Sequence, residues 1–419
     1  MQRRTTVVVD QPSETASFAD VMEALQRYTD DTGMQPLMLG GWEVEHPAIV
    51  PPPDLLHHLS QRAFHLRRYT YARDLRYARD VAAELLRVAL RFAGSSITEQ
   101  HVSIQQNSTQ ALLLALAALK ARGARRVVIA APAYYAVETI CRSLGLETTI
   151  VPAADFLTGA LDIPRLSDAA CLPGTVVLVT NPAFSLGVEY SPADLSALAT
   201  ELPKGAWLLL DETRLGLSWR YEAPWYQGDL PTRALVIRSP SKIFFIHGLK
   251  VSLLIGDAAL LREVERLGEA LVGSLPGDAG SVALAYLAAW RAWSDEVASG
   301  TAAGPMRRWR RTVLAALREN LTAAEAVLAP MGFTLSPVDS GPYVLAAVSR
   351  ERLPHLDPSD TARQLGVLLM DARHFLHEHP DWLGFRINLC CTSQRQAEAL
   401  ARLRGRWQEA ARMQWRAGA

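Results

Sequence analysis

The chain has 419 residues, 49% of them hydrophobic and 21% charged, so it can bury a large core and is too long for one ordinary domain. Its 43 basic and 43 acidic residues cancel, which argues against a nucleic-acid surface or a strongly anionic membrane and favours a small-molecule partner. The four cysteines (Cys141, Cys171, Cys390, Cys391) have no CxxC spacing and no clustered histidines, so they suggest neither a disulfide framework nor a metal site and point to a reducing cytoplasm.

At the N-terminus, Arg3 and Arg4 precede an apolar core of only residues 7–9, too short for a signal peptide. The longest apolar run, 111–119, is too short to cross a bilayer. The Pro-rich stretch 47–53 marks a border, and the segment before it, 1–50, is expected to pack with the C-terminal part. Beyond it, apolar runs at 127–130, 149–151, 176–179, 207–210, 234–237 and 252–255 alternate with longer helical patterns such as 110–121. Each run is strand-length and lacks polar alternation, as in strands covered on both faces. That order predicts a mostly parallel sheet in an α/β domain over 51–300. From Gly300 the pattern changes: a basic helix is predicted over 305–328, with Arg307, Arg308, Arg310 and Arg311, followed by strands at 334–335, 343–348 and 385–389. These read as a smaller α+β domain over 301–419.

Three strand ends carry chemistry. Asn107-Ser-Thr-Gln-Ala-Leu112 opens a helix after the strand-like 102–104, with Ser108 or Thr109 as the expected N-cap type. Free N–H groups, the positive helix end and two hydroxyls make a seat for a phosphate there. Asp211 ends the 207–210 run in Asp211-Glu-Thr-Arg214, and a carboxylate buried at a strand end requires a partner. Lys242 lies in the run 239–250, just past the strand-like 234–238. Lysine loses its charge readily in an apolar or cationic pocket, so a lysine so placed can form a Schiff base. The hydroxyls of Ser239 and Ser241 and the cation of Lys250 can hold a phosphate beside it.

Ser239-Pro-Ser-Lys242, with Gly248 six and Lys250 eight residues after the lysine, resembles the Ser-X-Ser-Lys motif of the fold-type I pyridoxal-phosphate (PLP) enzymes, the aspartate aminotransferase superfamily. Lys250 stands where the family has arginine. It supplies charge without the bidentate fork. Residues 107–112 resemble the family's Gly-Ser/Ala-Thr/Gln-X-Ala-Leu, with Asn107, a residue that tolerates positive φ, in place of glycine. Asn181-Pro-Ala-Phe-Ser-Leu-Gly187 resembles Asn-Pro-X-Asn-Pro-Thr-Gly: Asn181, Gly187 and the following Tyr190-Ser191 match, but Phe184 replaces the second asparagine and cannot hydrogen-bond. Asp211-Glu-Thr-Arg214 resembles Asp-Glu-X-Tyr, with Arg214 in place of the tyrosine that donates to the cofactor's phenolic oxygen. The resemblance runs from about 37 to 403.

It implies the PLP transferase fold, pyridoxal 5'-phosphate as cofactor, and a homodimer with shared active sites. Lys242 would carry the cofactor, Asp211 would pair with the pyridine nitrogen, and Tyr134, in Pro132-Ala-Tyr-Tyr135, would stack on the ring. Asn107, Ser108, Thr109, Asn181, Ser239, Ser241 and Lys250 would complete the cofactor site. Tyr69 would reach the neighbour's phosphate, with Tyr71 as the alternative because Asp74 replaces the glycine that sets this register. Arg386, in Phe385-Arg-Ile-Asn-Leu389, would clasp the substrate α-carboxylate bidentately, and Gly41 and Trp42 would line the substrate entrance. Arg214 can replace the missing tyrosine as a charged donor or bind substrate instead.

The simplest activity is transamination of an α-amino acid. Decarboxylation, elimination or oxidation on the same cofactor is the rival, favoured by the departures at Phe184 and Arg214. A PLP-domain transcription regulator is the remaining class. It requires a DNA-binding domain, and the roughly 36 residues before Leu37 are too few for one and are not basic.

Overall fold

The computed structural model describes residues 18–61, 69–87, 90–92, 95–222, 228–230, 233–349, 358–377, 379 and 381–417. Arg3, Arg4 and residues 7–9, quoted above, lie outside them. The central sheet contains β1 (Val102–Gln105), β2 (Arg126–Ala131), β3 (Glu147–Pro152), β4 (Thr175–Thr180), β5 (Trp207–Glu212), β6 (Ala234–Arg238) and β7 (Ser252–Gly256). These seven strands lie in the order β1-β7-β6-β5-β4-β2-β3. Only β7 is antiparallel to its neighbours, so the mostly parallel α/β sheet expected from the apolar runs is present.

The lack of polar alternation has a direct structural cause. Val127, Ile129, Val176, Leu178, Leu209, Leu235 and Ile237 face one core, shared with the helices Ser108–Ala121 and Ala258–Leu271. Their neighbours Val128, Ala130, Val177, Val179, Leu208, Leu210 and Val236 face the other, which continues into the helices Ala279–Ala298 and Pro305–Leu328. With both faces covered by helices, every position of these strands favours an apolar residue. Parallel strands joined by crossovers also bring their carboxyl ends to one edge, where open α/β sheets bind ligands.

A second, antiparallel sheet holds β8 (Thr334–Leu335), β9 (Tyr343–Ser349), β10 (Met370–Asp371) and β11 (Trp382–Asn388) in the order β8-β9-β11-β10. The N-terminal segment joins this sheet. Gly40 N–H donates to the Leu368 carbonyl at 2.7 Å and Asn388 N–H to the Leu39 carbonyl at 2.7 Å, while Val21 and Leu25 of the helix Phe18–Thr32 pack on Ala362, Leu368 and Phe375. A small sheet of Leu90–Phe92, Ser95–Ser96 and Gly228–Leu230, unread in the sequence, lies apart from both. Among the described residues no helix is long and apolar enough to cross a membrane.

The two sheets meet tightly at Gly187, whose φ of +74° favours glycine and whose Cβ, if present, would sit 2.4 Å from the Tyr343 carbonyl oxygen. Gly187 also accepts hydrogen bonds from the N–H groups of Asp339 (2.8 Å) and Ser340 (3.0 Å). Gly187→Ala is therefore expected to cost roughly 2–4 kcal/mol, the sum of a left-handed backbone penalty and overpacking. Denaturant unfolding measures it as a lower midpoint. A midpoint equal to wild type would mean that the loop relaxes freely.

Candidate active site

The chemistry-bearing residues gather at the carboxyl edge of the large sheet. β1 leads to Asn107, β2 to Tyr134, β4 to Asn181, β5 ends with Asp211 and Glu212, and β6 leads to Ser239 and Lys242. Register locks this edge together: Asp211 lies between Thr180 and Ile237, and Asn181 N–H donates to the Asp211 carbonyl at 2.9 Å. One residue on, Glu212 and Arg238 form a cross-strand ion pair at 2.8–2.9 Å with both side chains 1% exposed.

Lys242 sits in the short helical turn Pro240–Ile243, half-buried, with its Nζ 6.0 Å from the Tyr134 ring centroid. Burial pushes its amine down to about 8. The charges of Arg214 and Lys250 act in the same direction, and Asp211 opposes them. About a tenth of the amine is therefore neutral at pH 7, far more than for an ordinary lysine, and this is the form that attacks a carbonyl. His247, five residues on, is held down to about 4 by burial and by Arg214, Lys242 and Lys250, so its ring stays uncharged. Its buried Nε2 has no partner among the described residues.

Two expectations about phosphate-holding residues are refined. Asn107 itself is the N-cap, not Ser108 or Thr109: its Oδ1 accepts from Gln110 N–H at 2.9 Å, and the Gln110 side chain accepts from Gln106 N–H at 3.0 Å. Its φ is −159°, extended backbone, so a glycine is not required there. Ser108 and Thr109 fill the first turn, where N–H groups have no intrahelical acceptor. Ser239 is drawn inward. Its hydroxyl donates to the Val251 carbonyl at 2.9 Å and accepts from Ser252 at 3.0 Å, with Ser241 Oγ 3.2 Å away. This network ties the lysine turn to β7, and it arises because β7 pairs antiparallel with β6. Lys250 is exposed.

Asp211 is 6% exposed and its carboxylate accepts from Thr213 N–H at 3.2 Å. Asn181 is fully buried. Its Oδ1 accepts from Tyr190 N–H at 2.9 Å, shaping the loop after β4, and its Nδ2 is unpartnered among the described residues. Tyr134 is half-buried, with Tyr135 at 4.7 Å and Phe184 at 6.0 Å between ring centroids. Phe375 extends the aromatic wall 5.3 Å from Phe184.

Arg386 is 2% exposed, but its fork is not free for a bidentate clasp. Nε and Nη2 donate to the Gly40 carbonyl at 2.8 and 2.6 Å, and Nη2 also reaches the Gly41 carbonyl at 3.2 Å. Gly40 permits this approach, since a Cβ there would sit 2.7 Å from Met370 N. The guanidinium lies 5.7 Å from the Trp42 ring, 5.0 Å from Phe375 and 4.6 Å from Tyr343. Burial pushes it down to about 10. Arg214 approaches the same Tyr343, donating from Nη2 to its hydroxyl at 3.1 Å. Tyr69 is 82% exposed, and among the described residues no contact links it to this group. The sequence reading missed Tyr343, Tyr135 and Phe375. For Tyr343 a signal existed: the one polar tip opening the otherwise apolar Tyr-Val-Leu-Ala-Ala-Val run.

The fold and this lysine-centred edge define a PLP-transferase-like protein. Residues 66–403 match the family aminotransferase class I and II, and the chain belongs to it. Over 127 residues it is 24% identical to a histidinol-phosphate aminotransferase of Symbiobacterium thermophilum, a stretch of 30% of this chain that spans about a third (34%) of that relative. Among solved structures it resembles a mutant aspartate aminotransferase of Thermus thermophilus (TM-score 0.74, 17% identity, 96% of this chain and 99% of that one). It likewise resembles an N-succinyldiaminopimelate aminotransferase of Mycobacterium tuberculosis (TM-score 0.73, 20% identity, 96% and 99%). At these identities the likeness establishes the fold.

Proposed function

We propose that the protein is a PLP-dependent aminotransferase acting on an α-amino acid through Lys242. The observation that carries this reading is a lysine with a depressed amine and a buried carboxylate, Asp211, at the carboxyl edge of the sheet, beside an open helix N-terminus. The residues fit the cofactor. Lys242 would hold it covalently, Asp211 its ring nitrogen, Tyr134 its ring face, and Ser108, Thr109, Ser241 and Lys250 its phosphate. Asn181 holds the adjoining loop, and Ser239 anchors the lysine turn. When bound, the cofactor supplies an electron sink for the bonds at the substrate Cα.

The chain does the rest. Arg386, through its remaining Nη1, and the Gly41-Trp42 segment receive the substrate carboxylate. Lys242 Nζ would act as the general base that takes the proton from the substrate Cα. The Asp211 carboxylate lies within charge reach of that amine. The smaller antiparallel sheet and the described residues 18–50 of the N-terminal segment are read as one body that covers this site, Tyr69 as the residue offered to a second copy in a homodimer, and the cytoplasm as the compartment.

Phe184 and Arg214, both departing from the family's pattern, favour a second reading in which the same site decarboxylates, eliminates or oxidises. The test is incubation of the purified protein with an amino-acid panel, recording the visible spectrum and product masses. A 2-oxo acid with the amino group retained by the protein supports transamination. Released carbon dioxide, ammonia or a thiol supports the second reading.

Arg214→Tyr addresses the same departure. A cation beside Lys242 lowers the proton affinity of that nitrogen. Replacing it with a neutral donor is expected to move the pH midpoint of the cofactor's visible absorbance upward by roughly one unit, with substrate affinity retained. A fixed midpoint with collapsed affinity would assign Arg214 to the substrate.

A further inference from the structure

Two cations meet on one phenol ring. Arg214 comes from the loop after β5 of the large sheet and Arg386 from β11 of the small one, yet both guanidinium carbons lie 4.6 Å from the centroid of Tyr343. Tyr343 is 5% exposed and opens β9, with its backbone pressed on Gly187. Like charges so close repel, and the negative face of an aromatic ring offsets that repulsion. The hydroxyl serves one partner, Arg214 Nη2 at 3.1 Å. Ring and hydroxyl thus have separable functions: the ring contacts both arginines, and the hydroxyl binds one.

We propose that Tyr343 is a positioning residue of the active site, whose hydroxyl fixes the Arg214 guanidinium within charge reach of Lys242 and whose ring fixes Arg386 against the Gly40-Gly41 carbonyls. This rests on the aminotransferase reading and adds to it a coupling between the two halves of the site. The small sheet contributes the carboxylate-binding arginine and also, through one phenol, sets a charge that tunes the lysine on the large sheet. The groups that act electrostatically on Lys242 are Arg214, Asp211 and Lys250. Those on Arg386 include Tyr343, Arg214, Glu43 and Tyr135.

The separable functions give the test. Tyr343→Phe keeps the ring and removes the hydroxyl. It is expected to move the midpoint of the holoenzyme's visible absorbance upward by roughly half a unit to one unit, with KM changed less than about twofold. Tyr343→Leu removes both, so the same shift should come with a KM increase of about 5- to 30-fold, the loss of a partly desolvated cation–π contact. In an Arg214→Ala background Tyr343→Phe should add nothing to the shift, because the hydroxyl acts only through Arg214. Full additivity, or no shift in Tyr343→Phe, overturns the proposal. The pH midpoint of Lys242 acylation, read on cofactor-free protein, should move in the same direction. A wild type whose Lys242 never carries the chromophore overturns the proposed function, and the acylation midpoint then still decides the role of Tyr343.

Discussion

Lys242→Ala is expected to abolish the visible cofactor band and lower turnover to background, a loss on the order of a million-fold, as when a covalent nucleophile is removed. The fold should survive. The packing of the turn is carried by Ile243 and Phe244, 1% and 0% exposed, and by the Ser239 bonds to Val251 and Ser252, whereas Lys242 is half-buried and contributes an amine. Thermal unfolding should therefore stay within a few degrees of wild type. Borohydride reduction of wild type followed by peptide mapping checks the assignment directly, because the pyridoxyl label must land on residue 242. In cofactor-free protein, acylation of Lys242 should rise as pH passes about 8, where the depressed amine becomes neutral, while surface lysines respond nearer their usual value. A label on another lysine would overturn the central assignment.

The sheet was legible in the sequence because its strands are buried on both faces, which leaves an uninterrupted apolar signal at 127–130, 176–179 and 234–237. The positions of Asn107, Asp211 and Lys242 were legible because each directly follows or ends such a run, and parallel topology sends those ends to one edge. What stayed hidden depends on contacts between distant segments. Arg386 is bound by the carbonyls of Gly40 and Gly41, which follow from the N-terminal segment pairing with residues 366–368, just before β10, and with the end of β11. No spacing rule reveals that two of its nitrogens are already occupied. The polar tip of Tyr343 is visible at the head of its apolar run, but only the meeting of the two sheets at Gly187 brings it under Arg214. Ser239 was read as a phosphate holder because its hydroxyl is polar and near the lysine. Val251, the residue just before the antiparallel β7, supplies the carbonyl that accepts its hydrogen bond. The role proposed for the exposed Tyr69 involves a second copy, which a single chain's folding pattern does not contain.

Asp211→Ala is expected to lower turnover by about a thousandfold or more while weakening cofactor binding less than about tenfold. The magnitude follows from removing a charge aimed at the reacting electron system in a partly dry site. The phosphate seat proposed at Ser108, Thr109, Ser241 and Lys250 lies on other elements, so it should hold the cofactor without the carboxylate. The stability cost should be modest, about 1 kcal/mol, because among the described residues the carboxylate accepts one hydrogen bond, from Thr213 N–H at 3.2 Å. A further signature separates this role from that of a merely solvated strand end. Asp211 raises the proton affinity of Lys242, so its removal must lower the amine's midpoint further below about 8, the direction opposite to that expected for Arg214→Tyr. Acylation of Lys242 in cofactor-free Asp211→Ala should accordingly gain at pH 7 relative to wild type, even as the holoenzyme's turnover falls. Unchanged turnover together with an unchanged acylation midpoint would show that Asp211 lies outside the reach of Lys242 and takes no part in the chemistry.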